Sequence, residues 1–210
     1  IKADAALGDY VQCEVQSKEF GRIAAQNAKS YILQMIREKE RDAIYSQYSG
    51  KVRSIVSGTV QRRVGENLTI NLGKTDAILN ESEQVKTERL RLNDRVKVYV
   101  LEVKKTEKGS SRILVSRTHK DLVKCLFESE VAEIQDGTVE IKAIVREPGS
   151  RSKIAVWSNN PDVDAVGACV GVNSSRVNAV VDELRGEKVD IVNWDENPGR
   201  MIENALSPAR

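Results

Sequence analysis

A tight turn at Gly171-Val172-Asn173-Ser174-Ser175-Arg176 joins two short helical patterns and constrains how the last part of the chain can fold. Residues 166–170, before the turn, are short and apolar. Apolar residues after it recur at the spacing of one helix face: Val177, Val180, Val181 and Leu184. Ser174 or Ser175 is a natural N-cap. Such a turn directs backbone N–H groups and the positive end of a helix at one place, which suits a phosphodiester.

The segments around the turn read as strands. Residues 140–146 alternate in polarity, a Pro-Gly turn follows at residues 148–149, and residues 153–157 predict a second strand. Gly186 stands where the second helix should end, and residues 188–194 predict a third strand. A capped turn also occurs in folds that bind no ligand, but the order strand, strand, helix, turn, helix, strand is more specific.

That order, with a Gly-x-x-Gly-like turn, resembles a type II KH domain. The run Asp164-Ala165-Val166-Gly167-Ala168-Cys169-Val170-Gly171 and the run from Ser175 to Val192 resemble the first KH domain of the NusA family of bacterial transcription factors. Residues 147–156 and 204–209 resemble the same family, so the likeness covers essentially the whole chain. The resemblance implies that Gly171, Val172, Asn173 and Ser174 cradle an RNA backbone and that Arg176 holds a phosphate.

The turn departs from the family pattern at two positions. Ser174 replaces the second glycine, and Asn173 stands where a basic residue is usual. A serine adds a Cβ where RNA should approach closely, and it resists positive φ. The serine hydroxyl, in contrast, favours RNA binding, because it can cap the helix and donate to a phosphate oxygen.

Residues 49–118 predict a second unit made of five short strands. The predicted strands are residues 56–64, 68–72, 75–79, 96–100 and 112–116. They resemble an S1 domain, an OB-type barrel. Matching the strands places Thr69 and Asn80 where many S1 domains carry the aromatic and histidine residues that stack on bases. The barrel therefore lacks that stacking platform.

The charge of the chain is unevenly distributed. Residues 49–118 hold 15 basic and 8 acidic side chains, whereas residues 119–210 hold 11 basic and 16 acidic, and residues 1–48 are neutral. The predicted phosphate contacts of the barrel are Arg62, Arg63, Lys104 and Lys105, with Lys108 extending the second cluster. The alternative is a merely solvated polar surface.

The first 48 residues contain one strong helical pattern, which predicts a long helix from near Gly21 to near Tyr48. Residues 9–15 predict a strand. By resemblance, residues 1–48 are the end of a polymerase-binding N-terminal domain, residues 49–118 an S1 domain, and residues 119–210 a first KH domain. Because the chain starts at Ile1 and stops just after Ser207-Pro208, we expect a fragment whose apolar helix stripe is exposed.

Nothing in the sequence predicts catalysis, a metal site or a cofactor. A single histidine, His119, cannot build a metal or triad cluster, and Cys13, Cys125 and Cys169 lack CxxC spacing. Cys169 is expected in the core. Free cysteines and the lack of an apolar run near 18 residues indicate a reducing cytoplasm and no membrane. Trp157 and Trp194 fall on KH strands, where packing is favoured over base stacking.

The sequence thus predicts an α+β multidomain chain: a long helix, a five-stranded S1/OB barrel and a type II KH domain. The resemblance implies a non-enzymatic, RNA-binding part of a transcription elongation, pausing and termination or antitermination factor. Its expected partners are single-stranded nascent RNA, RNA polymerase and other elongation factors. The alternative is a protein-interaction scaffold whose altered turn no longer binds RNA. An RNA-feeding module of a nuclease is opposed by domain order, since there KH normally precedes S1.

Overall fold

The computed structural model describes residues 21–106 and 111–206. The chain divides into two units, Ile1–Glu40 and Arg41–Arg210. Helix α1, Arg22–Ser49, confirms the predicted long helix. The expected strand at residues 9–15, Lys108 and the end of the chain from residue 207 lie outside the described residues. Residues 22–40 are exposed, including the apolar stripe that contains Ile23, Tyr31, Ile32, Met35 and Ile36.

Five strands of the second unit close into a barrel, which confirms the predicted S1/OB fold. The strands are β1 Ile55–Val64, β2 Asn67–Asn71, β3 Asp76–Leu79, β4 Arg95–Lys105 and β5 Ser111–Ser116. Their order around the barrel is β1-β2-β3-β5-β4, and only β3 and β5 pair in parallel. Inward-facing aliphatic side chains such as Val60, Ile70 and Ile113 fill the barrel, and Tyr48 of α1 joins this core.

The KH domain consists of a three-stranded sheet and the helices that pack around it. Its elements are α2 Lys120–Glu130, α3 Ala132–Gln135, β6 Val139–Glu147, β7 Arg151–Ser158, α4 Ala165–Val170, α5 Ser175–Glu183, β8 Lys188–Asn193 and α6 Pro198–Leu206. Strand β6 pairs antiparallel with β7, and β7 pairs in parallel with β8. The core gathers side chains from α2, β7, α4 and α5, among them Phe127, Ile154, Cys169 and Val180. The predicted α+β multidomain fold is therefore confirmed.

Three helices, α2, α3 and α6, were not predicted from the sequence. Helix α2 begins after His119, whose Nδ1 accepts the backbone N–H of Asp121 and whose ring stacks on Tyr99 with centroids 4.6 Å apart. Helix α6 begins at Pro198, just after Asn197, whose side chain accepts from Gly199 N. The Asn197-Pro198 start of α6 is a recognisable helix-start signal, whereas histidine is not among the usual N-cap residues. His119 is accordingly a helix cap at the barrel–KH boundary.

A buried arginine connects the barrel to the KH domain. Arg117, just beyond β5, is fully buried and forms a two-pronged ion pair with Glu88, at 3.0 and 2.5 Å. It also donates to the Glu183 carboxylate at the end of α5 (3.1 Å), to the Glu183 carbonyl (2.9 Å) and to the Lys97 carbonyl (2.7 Å). Barrel and KH domain therefore share one polar, fully bonded junction.

Among the residues that the structure describes, helix length and hydropathy nowhere suffice for a membrane-spanning helix.

Candidate nucleic-acid interface

The turn predicted to grip RNA lies between α4 and α5, and its backbone is left-handed at three positions. Gly171 has φ 75°, Asn173 has φ 52° and ψ 34°, and Ser174 has φ 59° and ψ 23°. Val172 and Asn173 are exposed. Ser174 stands at the N-cap position of α5, as predicted, but its hydroxyl makes no capping hydrogen bond, so the expected side-chain cap is wrong. A left-handed backbone leaves its hydroxyl away from the α5 amides that a normal cap binds.

Arg176 packs beneath this turn. Its Nη1 donates to the Ala168 carbonyl at 2.6 Å and to Glu133 of α3 at 2.8 Å. Its aliphatic stem fills the space beside Gly171, where a Cβ would lie 2.8 Å from Arg176 Cγ, so position 171 requires glycine for its neighbours as well as its φ. The Glu133 backbone N–H and Arg176 hold the pKa of the Glu133 carboxyl below its ordinary value. Arg176 thus fixes the turn from below.

A groove opens beside α4, between that helix, the edge strand β8 and α6. It has a volume of about 620 Å³. Aliphatic side chains, including Val166 and Ile191, line it together with the carboxylates Asp164 and Asp190 and the amides Asn193 and Asn204. The aliphatic and amide groups suit the faces and edges of unstacked bases, whereas the two carboxylates repel phosphates. The groove flanks the same helix that delivers the chain to the turn.

The structure places the four predicted phosphate contacts of the barrel at two opposite ends. Arg62 and Arg63 lie at the end of β1, exposed and opposite Thr69 and Leu68 of β2. Lys104 and Lys105 are the last residues of β4, which runs antiparallel to β1. Arg95, the first residue of β4, lies near the end of the barrel that carries Arg62, and the two lysines are about 30 Å away from it along β4. Lys104 pairs with Glu102 (2.7 Å) and Lys105 with Asp42 (2.8 Å).

The side chains predicted to take the S1 stacking positions offer no aromatic surface. Thr69 is buried within β2, and Asn80 follows β3, where it precedes a short 3₁₀ turn. On the KH sheet, Trp157 packs edge to face against Trp194, with ring centroids 5.6 Å apart, and Trp157 is 42% exposed. Lys142 lies over the Trp194 ring. The tryptophan pair is therefore a packed pair on the sheet with one accessible ring.

The two cysteines in the described part of the chain have perturbed thiols. Burial raises the pKa of both the Cys125 and the Cys169 thiols to about 11, so both are protonated at neutral pH. Cys169 lies in the core, as predicted. No group of three or more potential metal ligands occurs within residues 21–106 and 111–206.

Protein-family models match most of the chain in three consecutive segments. A NusA N-terminal domain matches residues 1–42, an S1 RNA binding domain residues 51–112, and a NusA-like first KH domain residues 117–194. Transcription termination/antitermination protein NusA from Bacillus subtilis is 50% identical over the whole chain, which covers 56% of that protein. The NusA protein of Thermus thermophilus is 44% identical over 99% of the chain, which covers 54% of it. The chain therefore spans about half the length of these relatives.

Both relatives carry the same name. The three matched domains follow one another along the chain in the order NusA N-terminal, S1 and first KH domain. Identity of this level across all 210 residues includes the turn, the barrel and α1. By its domain order and by this identity, the chain belongs to the NusA family.

Proposed function

We propose that the chain is the RNA-binding part of a transcription elongation, pausing and termination or antitermination factor. In this proposal it acts in the cytoplasm without enzymatic activity, binds RNA polymerase through residues 1–48 and holds single-stranded nascent RNA on the barrel and the KH domain. The domain boundaries proposed are 1–48, 49–118 and 119–210. The observation that carries the proposal is the exposed, left-handed turn Gly171–Ser174 beside a base-sized groove, within the same compact unit as the basic barrel.

The turn retains a backbone suited to close RNA approach despite its substitutions. Asn173 and Ser174 both adopt the left-handed conformation that glycine would adopt most easily. This observation favours RNA binding over the alternative of a scaffold with a collapsed turn. Gly171, Val172, Asn173 and Ser174 are proposed to contact the RNA backbone, while Arg176 is proposed to act mainly by holding the turn.

The four basic residues of the barrel are proposed to contribute unequally. Within the described residues, Arg62 and Arg63 have no recorded ion pair, whereas Lys104 and Lys105 already pair with carboxylates. A cation that keeps a nearby carboxylate is a weaker phosphate ligand, because the RNA must compete with that partner. We therefore expect Arg62 and Arg63 to supply more of the attraction than Lys104 and Lys105.

The decisive experiment is a titration with a 15-nucleotide single-stranded RNA at several salt concentrations. At least four neutralised phosphates should give a slope of log affinity against log salt of about −3 or steeper, since single strands give roughly −0.7 per contact. The variant Arg62→Ala/Arg63→Ala should reduce that slope by about 1.4. The control Lys104→Ala/Lys105→Ala removes the same charge from the other end of the barrel and should change it less.

The outcomes separate cleanly. Binding that keeps the wild-type slope in the Arg62→Ala/Arg63→Ala variant would contradict the assignment of these arginines. Absence of binding even at low salt would overturn the RNA proposal and favour the scaffold. Thermal unfolding of each variant verifies that the barrel is intact.

A further inference from the structure

Four arginines surround the place where the barrel meets α5, and neither sequence nor family resemblance assigned them a role. They are called here the junction arginines: Arg89, Arg91, Arg95 and Arg185. The first three belong to the barrel segment that enters β4, and the fourth follows α5 of the KH domain. All four are exposed.

The barrel segment is held in place by β1. Asn93 N donates to the Val60 carbonyl at 2.8 Å, and Val60 N donates to the Asp94 carbonyl at 2.9 Å. Asn93 has φ 70°, which turns the chain sharply into β4. Arg95 then pairs with Thr59 across β1 and β4. Because β1 continues past this point to Arg62 and Arg63, the segment lies at the basic end of the barrel.

The end of α5 is tied to the same segment. Glu183 accepts from Lys97 N at 2.8 Å, and Arg185 donates to Asp94 at 3.2 Å. Arg117 is buried beneath them with Glu88 and Glu183. These bonds join the barrel segment and the helix end into one continuous surface with a fixed geometry.

The exposed side of this surface is basic, although its net charge is small: five arginines (89, 91, 95, 117 and 185) face four carboxylates (88, 94, 182 and 183). The buried Arg117 pairs with both Glu88 and Glu183, and Asp94 pairs with Arg185 and accepts from Arg91 N. Within residues 21–106 and 111–206, the side chains of Arg89, Arg91 and Arg95 have no recorded carboxylate partner. Three exposed guanidinium groups therefore remain available to an external anion.

We propose that three of the junction arginines, Arg89, Arg91 and Arg95, bind the phosphates of single-stranded RNA where the strand passes between the barrel and the KH turn. The proposal rests on the function proposed above and adds a third contact region to it. Helix α5 connects the two sites: its first residue follows the turn, its last lies at the junction, and its length is about 14 Å. Its exposed face carries Ser175, Asn178 and Ala179, with Asp182 as an acidic residue near the junction.

RNA is the favoured partner because α5 leads from the junction arginines to the KH turn, which is itself a proposed RNA site. An acidic protein segment would satisfy the same charges. The two partners differ in length dependence, since an RNA held at the turn reaches the junction only when it is long enough. A short oligonucleotide bound at the turn alone should ignore the junction.

The test uses the full chain, the triple variant Arg89→Gln/Arg91→Gln/Arg95→Gln and a matched triple, Lys29→Gln/Arg37→Gln/Lys39→Gln, which removes the same charge from exposed positions of α1. Affinity for a 4-nucleotide and a 15-nucleotide single-stranded RNA is measured against salt. The junction triple should reduce the salt slope for the longer RNA by about 2. It should leave the affinity for the shorter RNA within twofold, and the matched triple should change the slope for the longer RNA by less than 1.

Equal effects of both triples, or no effect of the junction triple on the longer RNA, would overturn the proposal while leaving the KH turn and Arg62 as RNA sites. Competition by polyglutamate as effective as that by an RNA of equal charge would overturn it in favour of an acidic protein partner. Failure of the wild-type chain to bind either RNA would overturn the proposed function and this inference together. Thermal unfolding of both triples shows whether the fold is retained.

Discussion

Ser174 adopts a backbone conformation that its side chain disfavours. A left-handed conformation costs a non-glycine residue roughly 1–2 kcal/mol, and Ser174 makes no side-chain capping bond to offset that cost. Ser174→Gly should therefore raise the free energy of unfolding by up to about 1 kcal/mol, less the greater chain entropy that glycine loses. It should also tighten RNA binding, because the substitution removes a Cβ at the position where the RNA backbone is proposed to approach. Urea unfolding and RNA titration measure the two effects.

Ser175→Gly is the matched control, since it makes the same change one residue later. Ser175 has φ −60° and lies in the first turn of α5, where glycine costs about 0.5–1 kcal/mol. The two glycine variants should thus shift stability in opposite directions. Destabilisation by both would show that the left-handed turn carries no strain at Ser174.

Arg176 is a second residue whose type alone is a poor guide to its contacts in the fold. A basic residue just after a phosphate-binding turn favours a direct phosphate contact, and the sequence contains nothing that identifies a competing acid. Glu133 comes from α3, 43 residues away, and takes Arg176 Nη1 together with the Ala168 carbonyl. Positions of charged partners that are distant in sequence depend on the tertiary fold and cannot be obtained from local patterns.

Among the elements, the KH strands are linked by a buried ion pair whose strength depends on pH. Glu187, before β8, accepts both guanidinium prongs of Arg146 of β6, at 2.9 and 2.8 Å, the Ser152 hydroxyl at 2.6 Å and Gly149 N at 2.8 Å. Burial alone would raise the pKa of the Glu187 carboxyl, but these hydrogen bonds outweigh burial and lower it. A lowered folded-state pKa stabilises the protein above the unfolded pKa, about 4.3 for Glu, and this stabilisation is lost as the pH falls through the folded pKa.

Glu187→Gln should lower the free energy of unfolding at pH 7 by about 3 kcal/mol, because Arg146 is left as a buried, unpaired charge. The difference between wild type and variant should shrink as the pH falls below about 4. Urea unfolding from pH 7 to pH 3 measures it, with the exposed Glu147→Gln as control. A difference that stays constant down to pH 3 would contradict the assigned role of the carboxylate.

Most of the elements that the sequence predicted have a regular hydrophobic pattern. Alternation predicted several strands of the barrel and of the KH domain, helical spacing predicted α1 and α5, and α4 was predicted from a short apolar run before the turn. Helix α2 was missed although Leu122, Val123, Leu126 and Phe127 repeat along one face and become fully buried. The separation of Arg62 from Lys104 was also unpredictable, since it depends on which strand ends meet when the barrel closes.

On the scale of the whole molecule, Arg117 is the buried polar link between the barrel and the KH domain. Its guanidinium is fully buried and satisfies Glu88, which is 3% exposed, and Glu183, which is 24% exposed. A residue at this place matters to RNA binding only indirectly, because it holds the junction and the KH turn at a fixed spacing. The proposed RNA contacts at the junction and at the KH turn strengthen each other's binding to one RNA strand only if the distance between the two sites is constant.

Arg117→Ala should leave two carboxylates at the junction without their partner and lower the stability of the barrel–KH unit by about 3–5 kcal/mol. Calorimetry should then resolve separate barrel and KH transitions in place of one. Affinity for a 15-nucleotide RNA should fall more than affinity for a 4-nucleotide RNA, because the longer strand needs both sites at once. The control Arg112→Ala removes an exposed arginine from β5, the strand that precedes Arg117, and should shift stability by no more than about 0.5 kcal/mol. A single transition at the wild-type temperature in Arg117→Ala would show that packing of Tyr99 and Leu101 against the KH core suffices to join the domains.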